Sequence, residues 1–130
     1  MSSILVIDDE APVRKVLRKA LEREGYKVMD AADGLEGIGL YRENPTDLVL
    51  TDILMPEKEG LETIMALKQD FPELKVFAMS GGGMLDSDFC LGMAKGLGAT
   101  RVYTKPFGIE ELLKDIGELT NVMDGQEKTE

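Results

Sequence analysis

Four short apolar runs in this sequence end on a residue able to do chemistry. "SILVI" at 3–7 is followed by Asp8 and Asp9, "DLVLT" at 47–51 by Asp52, "KVFAM" at 75–79 by Ser80, and "RVYT" at 101–104 by Lys105. Taken singly, each is an ordinary turn residue at a strand end. Taken as a set, they point to one chemistry. Close carboxylates repel and resist joint ionisation unless a cation compensates. Magnesium is such a cation: it takes one or two carboxylates, keeps several waters and accepts phosphate oxygens. A carboxylate can also serve as a covalent acceptor. A serine hydroxyl can donate to a phosphoryl oxygen, and a lysine can neutralise its charge. The set therefore reads as a magnesium-assisted phosphoryl site, provided that the fold brings these strand ends together.

The elements that must do so follow from periodicity. Five strand-length runs, those above and "KVMDA" at 27–31, alternate with amphipathic stretches. After the first run, Val13, Val16, Leu17, Ala20 and Leu21 share one helical face, with Pro12 suited to the first turn and Gly25 to the stop. A second helix over 34–43 is weakened by Gly34, Gly37 and Gly39. A third starts near Leu61 and ends before Pro72, a fourth carries Phe89, Cys90, Met93, Ala94 and Leu97, and a fifth carries Ile109, Leu112, Leu113, Ile116 and Leu119. Strict alternation of strand and helix predicts an α/β domain with a parallel sheet covered on both faces. In a doubly wound order 2-1-3-4-5, the chain reverses between the first and third strands, and ligands bind outside the carboxyl ends there. Asp8, Asp9 and Asp52 would converge at that point. The apolar pattern stops at Met123, so one domain is expected over 1–123 with a polar, disordered tail over 124–130.

Composition excludes several alternatives. A formal charge of −10 argues against direct nucleic-acid binding, which needs a basic footprint. The single cysteine, Cys90, permits no intrachain disulfide, which suits a reducing compartment. The longest apolar run, "ILVI", is far short of a membrane span and follows no signal peptide, so a cytoplasmic protein without membrane insertion is expected. Histidine is absent. That removes His-dependent triads, Cys/His zinc sites and imidazole acid–base catalysis. Any phosphohistidine must come from a partner.

The stretches "VIDDE", "DILMPEKEG", "AMSGGG" and "YTKPF" resemble the four signatures of response-regulator receiver domains, and the resemblance covers roughly residues 3–120. It implies a flavodoxin-like receiver fold and two-component signalling. Asp52 would be the phosphoacceptor. Asp8 and Asp9 would hold magnesium, Asp9 more directly, with Asp52 and the backbone carbonyl of Leu54 completing the metal site. Ser80 would move toward the phosphoryl group, and Lys105 would be its ion-pair partner, aimed by a cis Lys105–Pro106 peptide. The resemblance implies a phosphoacceptor signalling protein, not an enzyme beyond its own phosphorylation and dephosphorylation, and the polar tail of about seven residues, too short for an output domain, makes the stand-alone type the expectation. Its partners would be a sensor histidine kinase or a histidine phosphotransfer protein, and a downstream protein target met through the fourth helix, fifth strand and fifth helix, or by onward phosphotransfer. Two other readings are open: a receiver-like binding module that is not phosphorylated, and an aspartate-nucleophile phosphohydrolase. The second expects an acid two residues after the nucleophile, where Leu54 stands. One departure is Val102, which occupies the position of the family's aromatic switch residue. The neighbouring Tyr103 is expected on the opposite face of the strand. The triple glycine at 81–83 reads as a loop, and Cys90 as a packing residue.

Overall fold

The computed structural model of the chain describes residues 2–53, 59–80, 87–104 and 108–128. In chain order the elements are β1 (Ser3–Ile7), α1 (Ala11–Arg23), β2 (Lys27–Ala31), α2 (Gly34–Glu43), β3 (Leu48–Asp52), α3 (Glu59–Asp70), β4 (Lys75–Ser80), α4 (Ser87–Gly96), β5 (Arg101–Thr104) and α5 (Ile109–Lys128). The five strands form one parallel sheet in the order β2-β1-β3-β4-β5, the doubly wound order expected from the alternation.

Strand alternation divides the core into two layers. On one face of the sheet Leu5, Ile7, Val49, Val76 and Ala78 pack with Ile64 and Leu67 of α3 and Ala94 of α4. On the other, Ile4, Val6, Leu48, Leu50, Phe77 and Met79 pack with Leu17 and Leu21 of α1 and Leu112 and Ile116 of α5. All five residues of β3 are buried, which marks it as the central strand between two helical layers. Truncating one of its leucines to alanine would cost about 2–5 kcal/mol. The strand is therefore a stiff support for whatever stands at its end.

Local chemistry explains the boundaries. Helix α1 ends in a Schellman turn: Gly25, at φ 95°, donates to the Glu22 carbonyl at 3.0 Å, and Tyr26 N donates to the Leu21 carbonyl at 3.2 Å. Helix α2 begins with reciprocal capping, in which Glu36 N donates to Asp33 at 2.8 Å and the Glu36 carboxylate accepts from Ala32 N at 2.7 Å. This support offsets its glycines, one of which has a packing reason. A Cβ on Gly37 would run into the side chain of buried Ile7, which would have to shift to admit it, so glycine lets α2 sit closely on β1.

Three details differ from the sequence reading. The third strand starts at Leu48 and includes Asp52. Asp47 instead turns its carboxylate back to accept from Ser3 N at 2.9 Å. Val16 is 57% exposed although Leu17 and Leu21 beside it are buried, because it falls on the flank of the α1 stripe. Helix α5 runs on to Lys128, so residue 123 marks the end of the apolar pattern but not of the helix.

Candidate functional site

Asp8 follows directly on β1 and is held by its own backbone. Its N–H donates to the Ala31 carbonyl at 3.1 Å, continuing the ladder toward β2. Its carbonyl accepts from Arg14 Nη1 at 2.6 Å, and its carboxylate accepts from Glu10 N at 2.9 Å. These bonds tie the β1–α1 turn to the first turn of α1. Asp52 ends β3, and the strand is fixed on both sides of it. The Asp52 position is paired with Met79 of β4, Ile53 N donates to the Met79 carbonyl at 2.8 Å, and the Thr51 hydroxyl donates to the Asp52 carbonyl at 3.1 Å. From outside, Gly60 at the start of α3 lies so close that an added Cβ would collide with the Ile53 backbone and the Asp52 carbonyl oxygen.

These constraints bring the acids together. Carboxylate oxygens of Asp8, Asp9, Glu10 and Asp52 all lie within 4.8 Å of one another. Asp8 and Asp52 are buried at 0% and 3% exposure, while Asp9 and Glu10 are exposed. The group therefore has a closed floor and an open rim. Its donors are oxygens only, of the hard kind that magnesium prefers, and the open rim leaves room for retained waters. The residues fit that ion.

Ser80 ends β4, is fully buried and pairs with Thr104 of β5. The register sets it one residue beyond Met79, the partner of Asp52, on the neighbouring strand. Leu54, Lys105 and the Lys105–Pro106 peptide lie outside the described residues, as does the glycine run at 81–83. Val102 is half-buried and packs on the α3/α4 side of the sheet. Tyr103 is buried on the α1/α5 side, with its ring 5.8 Å from that of Phe77 and its hydroxyl donating to Asp115 of α5 at 2.6 Å. Burial first, and the bond to Asp115 second, push the Tyr103 phenol well above its ordinary range. Glu10 is the member of the acid group that spacing alone did not identify. The signal for it was the unbroken "DDE", which a tight β1–α1 turn folds onto one point.

A surface hollow of about 480 Å³ lined by Tyr41, Asp70, Phe71 and Leu74 lies at the opposite, amino-terminal edge of the sheet, away from the acids. Among the described residues no helix is long and apolar enough to cross a membrane.

Comparison with known proteins agrees with this geometry. Residues 4–117 match the family described as the response regulator receiver domain. The chain is 33% identical over 109 residues to sporulation initiation phosphotransferase F of Bacillus subtilis, spanning 84% of this chain and 86% of that protein. It is 38% identical over 105 residues to response regulator GtcR of Aneurinibacillus migulanus, spanning 81% of this chain and 42% of that protein. It likewise spans less than half the length of the response regulators MprA of Mycobacterium and CpxR of Escherichia coli, 46% and 48% respectively. Among solved structures, a receiver domain protein from Clostridium thermocellum superposes with a TM-score of 0.83 at 30% identity, covering 95% of this chain and 98% of that one. A CheY-like receiver domain protein from Methanospirillum hungatei superposes at 0.86 with 27% identity, covering 97% and 98%. With the doubly wound sheet, the acid group at its switch point and a family match over nearly the whole chain, this protein belongs to the response regulator receiver domain family of two-component signalling.

Proposed function

We propose that Asp52 is the phosphoacceptor of a two-component pathway and that it takes its phosphoryl group from a phosphohistidine on a partner, either a sensor histidine kinase or a histidine phosphotransfer protein. The observation that carries this reading is the convergence of four carboxylates within 4.8 Å where β1 and β3 end. The histidine is assigned to the partner because this chain has none.

Asp8, Asp9 and Asp52 would hold a magnesium ion, together with the backbone carbonyl of Leu54, which is carried over from the family. When bound, the ion supplies positive charge beside the phosphoryl oxygens. The chain's own part is positioning. Catalysis of phosphoryl transfer rests almost entirely on in-line geometry and charge stabilisation. A carboxylate fixed to a fully buried strand meets that requirement. In the transfer the N–P bond of the donor breaks as an Asp52 O–P bond forms, and the departing imidazole keeps the electron pair and takes up a proton. Ser80 donates its hydroxyl to a phosphoryl oxygen, and Lys105 pairs with the charge that remains. Hydrolysis of the acyl phosphate by water closes the cycle, so the protein's activity is confined to its own aspartate.

Output goes through protein contacts at α4, β5 and α5, or by onward phosphotransfer, within the cytoplasm. The similarity to a protein named a phosphotransferase, over 86% of that protein's length, favours the relay. A net charge of −10 disfavours direct contact with nucleic acid.

Incubation with acetyl phosphate and magnesium, followed by intact mass measurement, tests the assignment. A single phosphoryl group is expected on the wild type and none on Asp52→Asn. Label that persists on the variant overturns it.

A further inference from the structure

The family's metal site, as carried over above, uses Asp8, Asp9, Asp52 and a backbone carbonyl, and it leaves Glu10 without a part. The structure gives Glu10 a place beside the cation. It is the N-cap residue of α1, with φ −93° and ψ 108°, yet its side chain does not cap the helix. Its backbone is committed inward, donating to Asp8 at 2.9 Å and accepting from Arg14 N at 3.1 Å. Its exposed carboxylate stands within 4.8 Å of the other three.

We infer that Glu10 is a fourth carboxylate of the cation site and sets the affinity for the divalent ion through its charge. The inference rests on the metal-site reading above and deepens it. Two consequences follow from electrostatics. Without a cation, four close carboxylates destabilise the fold by mutual repulsion, and the exposed Glu10 adds to it. With a cation seated among them, the same charge attracts. Because the Glu10 carboxylate lies within 4.8 Å of the other three, an ion held by Asp8, Asp9 and Asp52 would lie close to it, and at separations of about 5 Å a divalent charge and a carboxylate interact appreciably even through water. Screening at physiological salt reduces the effect to about fivefold in the dissociation constant, and at low salt it exceeds about tenfold. Arg14, whose guanidinium bonds the Asp8 carbonyl, offsets part of the acid charge and is common to every variant compared.

The test uses the full chain, magnesium titration by calorimetry, and thermal melting with and without magnesium. Glu10→Gln should bind magnesium about fivefold more weakly. Glu10→Asp, which keeps the charge, should stay near wild type. In the absence of magnesium Glu10→Gln should melt above wild type, and saturating magnesium should close or invert that gap. A merely structural role for Glu10 predicts no such inversion. Glu10→Ala repeats the measurement should glutamine perturb the turn. If Glu10→Gln binds as tightly as wild type while Asp9→Asn loses the ion, the inference is wrong and the metal site stands. If wild type fails to bind magnesium, or Asp9→Asn binds unchanged, the metal-site reading falls and takes this inference with it.

Discussion

Replacing Gly60 by alanine tests whether the start of α3 must press against the end of β3. The three nearest atoms to a Cβ at this position are all backbone: the Ile53 Cα, the Asp52 carbonyl oxygen and, at 2.8 Å, the Ile53 carbonyl carbon. No rotamer change relieves such contacts. Unstrained carbon–carbon contacts begin near 3.5 Å, so the helix has to retreat by at least roughly 0.7 Å, more for the two closer atoms. That retreat loosens buried Leu61 and Ile64 at the same time. Overpacking of this kind costs about 1–3 kcal/mol, and the backbone origin of the clash sets the expectation at about 2–3. The control is Gly39→Ala in α2, where a Cβ meets nothing within 4 Å. There alanine should stabilise by about 0.5–1 kcal/mol, the ordinary helix preference. The same chemical change thus has opposite signs at the two sites. Urea unfolding followed by circular dichroism reads both as shifts in midpoint at constant slope. Magnesium affinity should also fall in Gly60→Ala, since the moved backbone carries Asp52, and should be unchanged in Gly39→Ala. Equal stability of the two variants would refute the close-approach argument.

Tyr103→Phe removes the 2.6 Å bond to Asp115 and should cost about 1.5 kcal/mol in urea unfolding, with no loss implying that the bond contributes nothing net. The same variant has a pH signature. The folded phenol titrates above its unfolded value of about 10 because of burial and Asp115, so the contribution is intact below about pH 10 and is lost as pH rises above it. Wild type should therefore lose stability relative to Tyr103→Phe in alkaline solution, and parallel pH curves would count against this. Val102 is stiff at χ1 and cannot swing a ring, so beryllofluoride should alter hydrogen exchange more over residues 81–88 than at Val102 and Tyr103. The glycines at 81–83 motivate that expectation through their low steric cost of backbone change. A response centred on β5 would make Tyr103 the better reporter.

Most of the fold was legible in the chain itself. Branched and aromatic runs of strand length, helical stripes between them, and Gly25 and Pro12 at the right ends are local signals, read over a few residues and little altered by packing. Alternation of the two element types then leaves few arrangements, because parallel strands need covered crossovers of one hand. The strand-end acids were legible for the same reason, as residue type and chain position together put Asp8, Asp9 and Asp52 at one edge. The receiver signatures named the chemistry that this edge supports.

What remained hidden depends on distances between elements far apart in sequence. Gly37 looked like a weakness in its helix, and Gly60 lay just before the expected start of the third. Only the seating of α2 on Ile7 and of α3 on Ile53 shows that a side chain would crowd Ile7 at the first and meet backbone at the second. Val16 carried the same periodicity as Leu17, and the neighbours of α1 decided which of them met the core. The bond from Tyr103 to Asp115 joins a strand to a helix through their packing, with no local pattern to announce it. Glu10 stood in plain view beside Asp8 and Asp9, but its carboxylate enters the group through the turn held by Asp8 and Arg14. Periodicity determines which elements form and which way each one faces. How closely two elements approach is settled only when side chains from both fill the same space, and that is a property of the packed molecule.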